Sequence, residues 1–517
     1  MKITRSLLLI LVLAAMAALA TGCGSSSSGS GGDPDPAAAI PATAPIYVEA
    51  TVHPDGKLGD DVTAVLKKVM RTDDPAAKLQ GLVDRSAKDH GVTYAKDIAP
   101  WLGNRVGVAV TSYSGSKPAF IAVAGSKDDA KARAALTKGR KVVKRSYKGT
   151  AYSYDPKQQT VSAAFGGRAY AGTESGLRGA IDATKGQSLA EANGLRAARE
   201  KVASERAGFA YFDVQGLLRL FQQSGGGRDP QIGAALQAFG GALPKTIAAA
   251  LEADPDLIRL DAVSIGTPKT ATSGKSGADA VGQLPGDAFA AVGFADLGAS
   301  IDRSLKNIGG SGLGGVGVEA LLRQFRQQTG LDLRQDLLSW MGDAGLYVSG
   351  ASVADLHGAL VVKSTDPART RKAIAAIQRL ARTMAKNDKV TRLSGSGVDR
   401  GFSIKGAGSP RIDVALAGDK FVIAVGGDKA LQEAIKPSAT LSGAPAFTAA
   451  GDKLGDGIKP AFFLDMAKVT GLIGTKAGSD PGFAKAKPYL DTFAALVGGA
   501  KDEGDGVTRA RFAITLK

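Results

Sequence analysis

Nucleophiles and soft metal ligands are scarce here: one cysteine and three histidines in 517 residues. His53, His90 and His357 lie far apart, and no His-Glu-x-x-His places two imidazoles on one helix face. His53 precedes Pro54-Asp55-Gly56, which reads as a turn. His90 precedes Gly91 near a helix end, where an imidazole suits the dipole. His357 sits in a Gly-flanked approach to a strand. Gly-x-Ser-x-Gly is absent. Ser114-Gly115-Ser116-Lys117 fits Ser-x-x-Lys, but Ser-Asp-Asn and Lys-Thr-Gly are missing, and the tetrapeptide reads as a loop between strands. Gly274-Lys275-Ser276 has Lys269 where a phosphate loop requires glycine. Gly309 to Gly317 has dinucleotide-like glycine spacing but follows a helix, not a strand. Asp502, Glu503 and Asp505 lack calcium-loop spacing and read as a solvated turn. These patterns predict no catalytic residue, no metal site and no cofactor.

Charge is the positive signal. The formal net charge is +16. Lys138, Arg140, Lys141, Lys144, Arg145 and Lys148 fall in one stretch that contains no acid. In the second half, Arg379, Arg382, Lys386, Lys389 and Arg392 answer it, opposed only by Asp388. Such stretches either form a solvated face or contact an anionic lipid or wall polymer. No nucleic acid partner is expected outside the membrane.

The lone cysteine closes an export-like leader. Lys2 and Arg5 precede an apolar run from Leu7 to Ala20, too short to favour a membrane span. Ala20-Thr21-Gly22-Cys23 follows and resembles the lipobox of bacterial lipoproteins, with Ala20 where a larger aliphatic is usual. The resemblance implies removal of residues 1–22 and diacylglycerol on Cys23. Two acyl chains anchor stably where one is marginal. With no second cysteine, the exported fold has no disulfide. Residues 23–39 read as a Gly/Ser/Pro tether.

The length exceeds what one core usually fills, so two domains are expected. The sequence repeats itself. DIAPWLGNRVGVAV (Asp97 to Val110) answers DLLSWMGDAGLYV (Asp336 to Val348), and the only two tryptophans, Trp101 and Trp340, share one position. Phe120 to Leu136 answers Ala359 to Ile374. Ala169 to Ile181 answers Ile423 to Ile435, and Gly208 to Phe221 answers Pro460 to Ile473. A common order over a long period predicts two homologous α+β domains, each an antiparallel sheet packed with helices, at residues 40–267 and 284–517 with a linker at 268–283. Helices are predicted at Gly59–Met70 and Val318–Gln328, and strands at Arg105–Thr111, Ala119–Ala124, Thr150–Tyr154, Thr160–Phe165 and Ala169–Gly172.

The blocks IPATAPIYVEATV, PWLGNRVGVAV and GFAYFDVQGLL resemble the domain of unknown function 3352, a family of actinobacterial envelope proteins. The resemblance spans nearly all of residues 38–517 and implies export and a bipartite build. It carries no activity and no site residue. The chain is therefore expected to be a lipid-anchored protein on the extracytoplasmic face of the cell membrane, binding or scaffolding without catalysis. A carrier of a lipid or other apolar ligand is the alternative, and an envelope hydrolase the third reading.

Overall fold

Strand formation follows the period-two burial that the sequence encodes. In the strand Ile46–Thr51, Tyr47 is fully buried while its neighbour Val48 is exposed, because successive side chains leave opposite faces of a pleated strand. The computed structural model describes residues 34–114, 117–223, 243–268, 276–309, 318–384, 388–395 and 397–517. These form two compact units that part between Gly266 and Thr267.

The first unit contains β1 (Ile46–Thr51), β2 (Leu102–Ser114), β3 (Lys117–Ser126), β4 (Val143–Tyr147), β5 (Thr150–Asp155), β6 (Thr160–Phe165), β7 (Arg168–Gly172), β8 (Gly208–Asp213), β9 (Thr246–Asp254) and β10 (Leu257–Ile265). They pair antiparallel in the order β10-β9-β8-β1-β2-β3-β7-β6-β5-β4. The second unit contains β11 (Ala290–Phe294), β12 (Met341–Ser349), β13 (His357–Ser364), β14 (Lys389–Leu393), β15 (Arg400–Lys405), β16 (Ile412–Ala417), β17 (Lys420–Val425), β18 (Phe462–Asp465), β19 (Phe493–Gly504) and β20 (Val507–Leu516). Their order is β20-β19-β18-β11-β12-β13-β17-β16-β15-β14, again antiparallel throughout. Adding ten to each strand number turns one topology into the other. The α+β repeat is therefore a repeat of fold.

Local devices recur with the topology. After β3, the Asp128 side chain accepts from the amides of Ala130 and Lys131 at 3.0 Å each and starts helix Asp129–Thr137. After β13, Asp366 accepts from Arg369 N at 3.0 Å and starts helix Pro367–Met384. Helix Glu174–Ala183 lays Leu177, Ala180 and Ile181 on its sheet, at helical spacing and fully buried. Helix Asp428–Ile435 does the same with Ala430, Leu431 and Ala434.

The two tryptophans stand at equivalent points. Trp101 Nε1 donates to Asp97 O at 2.6 Å, and Trp340 Nε1 donates to Asp336 O at 2.8 Å. Each indole thereby caps the irregular turn that leads into β2 or β12. Trp101 O accepts from Lys127 N and Trp340 O from Thr365 N, tying each turn to the end of the next strand.

Two expected boundaries move. Pro34 to Ala39, read as the end of the 23–39 tether, belongs to the first unit. Pro36–Ala39 forms a tight turn with Ala37 and Ala39 fully buried. Proline fixes the backbone there and Asp35 accepts from Ala37 N at 3.0 Å, so a segment that composition marks as extended has a local reason to fold. Within the expected 268–283 linker, helix Ala278–Gly282 buries Ala278 and Val281 in the second unit. The leader and Cys23 lie outside the described residues.

Candidate functional site

In the second unit, three sequence-distant side chains converge. Register places His357 at the start of β13, next to the end of β17. Gly426 and Gly427 then turn the chain into helix Asp428–Ile435, which carries Glu433. Gly426 has φ +117°, and a Cβ there would lie 2.4 Å from His357 Cβ, so only glycine fits the turn over the ring. Asp287 arrives on the strap before β11, held by the amide of Gly286 on Ala439 O at 2.8 Å.

His357 is buried, Glu433 half-buried and Asp287 exposed. The ring Nδ1 lies 2.7 Å from Asp355 O, and Nε2 lies 2.8 Å from Glu433 Oε2. A carbonyl only accepts, so Nδ1 carries a proton. Nε2 then donates to Glu433 when the ring is charged and offers a lone pair when it is neutral. Burial pushes the His357 pKa down, but the Asp355 carbonyl and the Glu433 carboxylate outweigh it and hold it above its ordinary 6.5. Its contribution to stability is thus full below the ordinary value and fades as pH rises through the raised one. Ser349, fully buried, donates to Asp287 Oδ1 at 3.4 Å. One ligand atom from each of Asp287, His357 and Glu433 lies within 4.8 Å of the others. Tyr347 below them is pushed far above the usual tyrosine range, first by burial and then by the Glu433 and Asp287 charges.

No metal site is expected from the sequence, and its spacing gives no sign of this trio of potential ligands. His357 does lie at a strand start, but its carboxylate partners come from other elements. The serine hydroxyl reaches Asp287 and not the imidazole, so no Ser-His-acid relay is assembled. The first unit has the same scaffold without these groups. Aligning the two helices puts Gly179 where Glu433 stands, the strap puts Thr43 where Asp287 stands, and β3 carries Ala119-Phe120 where β13 opens.

The first unit instead holds an ion network over β1. Arg199 bonds Asp35 at 2.6 Å and Glu49 at 2.8 Å; Arg105 bonds Glu49 at 2.5 Å; and Tyr47 OH donates to Glu49 Oε2 at 2.6 Å. Two cations thus meet two carboxylates, so the cluster is neutral and its buried oxygens are satisfied. Desolvation raises the Asp35 pKa, but Arg199 and Arg105 outweigh it and hold the carboxyl below 3.8. The network pins the chain to the unit at Asp35, inside the expected 23–39 tether.

The basic stretch is less free than its sequence implies. Lys138 pairs with Asp97 at 2.6 Å, Arg145 with Glu174 at 2.8 Å and Lys148 with Asp182 at 2.6 Å. Arg145 also stacks over Tyr154, 3.8 Å from the ring centre. Arg140 is half-buried and bonds Gln158 at 3.2 Å. Lys141 and Lys144 are exposed and make no ion pair with the described residues. The sequence window contains no acid, yet the fold brings three from elsewhere.

The remaining candidates fall into structural roles. His53 bonds Gly103 O at 2.9 Å and Tyr94 OH at 3.2 Å, and burial lowers its pKa. His90 ends a short turn closed by Gly91 in the left-handed region. Ser114 ends β2; Gly115, Ser116 and most of the glycine-rich motifs at 274 and 309 lie outside the described residues. Asp502 and Glu503 close β19, where Glu503 pairs with Arg509 at 2.6 Å, and Asp505 and Gly506 make the positive-φ hairpin turn into β20.

No curated protein matches the chain in sequence. Two crystal forms of TP0453 are similar over 46% of this chain. Form III aligns at 11% identity over 82% of its own length with a TM-score of 0.26. Form I aligns at 12% identity over 81% with a TM-score of 0.24. The family model for a protein of unknown function, DUF3352, matches residues 3–515, and the chain belongs to that family.

Proposed function

We propose that this is a lipid-anchored envelope protein that binds or scaffolds without catalysis, held by Cys23 at the extracytoplasmic face of the cell membrane. The observation that carries the reading is the apolar run Leu7 to Ala20 ending in Ala20-Thr21-Gly22-Cys23, followed by a Gly/Ser segment. The Asp35 clamp supports it, since an anchored chain transmits any pull on its tether to the first fixed point. Among the described residues no helix is long and apolar enough to cross a membrane. The filled space between sheet and helix in the first unit, occupied by fully buried Tyr47, Leu177 and Ile181, favours a packed core over a lipid-carrying cavity.

Membrane fractionation of cells expressing the full chain tests this reading. Diacylglycerol supplies two chains at about 0.8 kcal/mol per buried methylene, whereas the exposed Lys141 and Lys144 act through a field screened within about 8 Å at physiological salt. The wild type should stay with membranes through a high-salt wash, and Cys23→Ala should move to the soluble fraction. Release of the wild type by salt, or retention of Cys23→Ala, would refute the lipid anchor.

A further inference from the structure

We propose that Asp287, His357 and Glu433 form a binding site for a borderline divalent transition metal of the zinc class. The inference goes beyond the anchoring reading and is independent of it. Three features of the geometry carry it. The imidazole is fixed by Nδ1–H on the Asp355 carbonyl, 2.7 Å away, which leaves Nε2 as the ligating nitrogen. That outer bond is the usual support of a metal-bound histidine. Two carboxylates converge on the same nitrogen face, with one atom of each residue inside a 4.8 Å sphere of separation. Two lysines lie beside the site without pairing with its carboxylates: Lys468 Nζ donates to the backbone oxygen of Asp287 at 3.0 Å, and Lys429 pairs with Asp355 at 3.5 Å.

The ligand chemistry selects the ion. One nitrogen and two carboxylate oxygens suit zinc, cobalt or nickel, whereas magnesium and calcium prefer oxygen alone. With bonds of about 2.0–2.2 Å, a tetrahedral ion holds its ligand atoms about 3.4 Å apart. The 2.8 Å contact between His357 and Glu433 must therefore open by about 0.6 Å. Asp287, exposed at the rim, closes from outside. Three protein ligands leave the fourth position to water or to a ligand of the partner that this unit binds. The first unit repeats the scaffold but has Gly179 and Thr43 at the matching positions, so one ion per chain is expected.

Cobalt(II) is the probe, because its visible absorption reports coordination number and geometry. Titrated into the purified full chain, one equivalent should give the intense bands of a four- or five-coordinate site, and zinc should displace it. Loss of an outer-shell partner alone weakens metal sites about 10–100-fold, so His357→Gln and Glu433→Gln should each weaken binding by at least about 100-fold. Asp287→Asn removes an exposed carboxylate and leaves the His357–Glu433 contact intact, so it should fold normally and still lose at least about 10-fold. Absence of stoichiometric cobalt binding, or binding that survives Asp287→Asn and His357→Gln, would show that the trio is only an ion pair strapping a helix to a strand.

Discussion

Replacing Glu49 by alanine should destabilise the first unit by about 3–5 kcal/mol. Glu49 is 6% exposed and is the shared acceptor of Arg105, Arg199 and Tyr47. Its removal leaves two guanidinium groups facing one carboxylate, Asp35, and leaves the Tyr47 hydroxyl in a fully buried site without that acceptor. Uncompensated charge in low dielectric is costly, so the loss exceeds that of any surface pair. Domains of this size have about 5–15 kcal/mol in total, so the unit should approach its unfolding threshold. Glu49→Gln keeps a hydrogen-bond acceptor but not the charge and should fall between the two. Urea denaturation followed by fluorescence and circular dichroism reads the effect. A change below about 1 kcal/mol would mean that the network is solvated and weak. The same network sets an acid limit. Asp35 contributes stability that is full above its ordinary 3.8 and is lost as pH falls through its lower folded value.

Trp340→Ala should cost the second unit about 3–5 kcal/mol. The side chain is fully buried and meets Phe421 edge-on, with ring centres 5.0 Å apart. Val362, Ile374 and Phe402 share its cluster. Alanine there leaves a cavity and frees the Asp336 carbonyl of the indole N–H. Trp101→Ala should act on the first unit in the same way, because its indole bonds Asp97 from the equivalent place. Stability measurements on both variants check the equivalence. If one tryptophan were dispensable, the repeated turn would be conserved in shape but not in energetic role.

That equivalence was legible because it is local. Asp and Trp stand four apart in both halves, and apolar alternation marks the strands on either side. The helix cap at Asp128 and the hairpin at Asp505-Gly506 are written within a few residues in the same way. The Asp287–His357–Glu433 trio is not. Its members are separated by 70 residues or more, and only the β13–β17 register with the Gly426 turn brings His357 under Glu433. A histidine with no neighbouring ligand gives no spacing to read. The basic stretch shows the converse. Its own window lacks acids, but Asp97, Glu174 and Asp182 are delivered by three other elements. The clamp at Asp35 was hidden by composition, since Asp-Pro repeats read as an extended spacer until arginines from β2 and helix Asn193–Lys201 close on them.

If the proposed lipid anchor is right, the mature protein begins at a lipidated cysteine. Mass spectrometry of the N-terminal peptide from membrane-purified protein should then find a peptide starting at Cys23 with a diacylglyceryl thioether on its sulfur. A mature terminus elsewhere, or an unmodified Cys23 thiol in the membrane-bound protein, would contradict it.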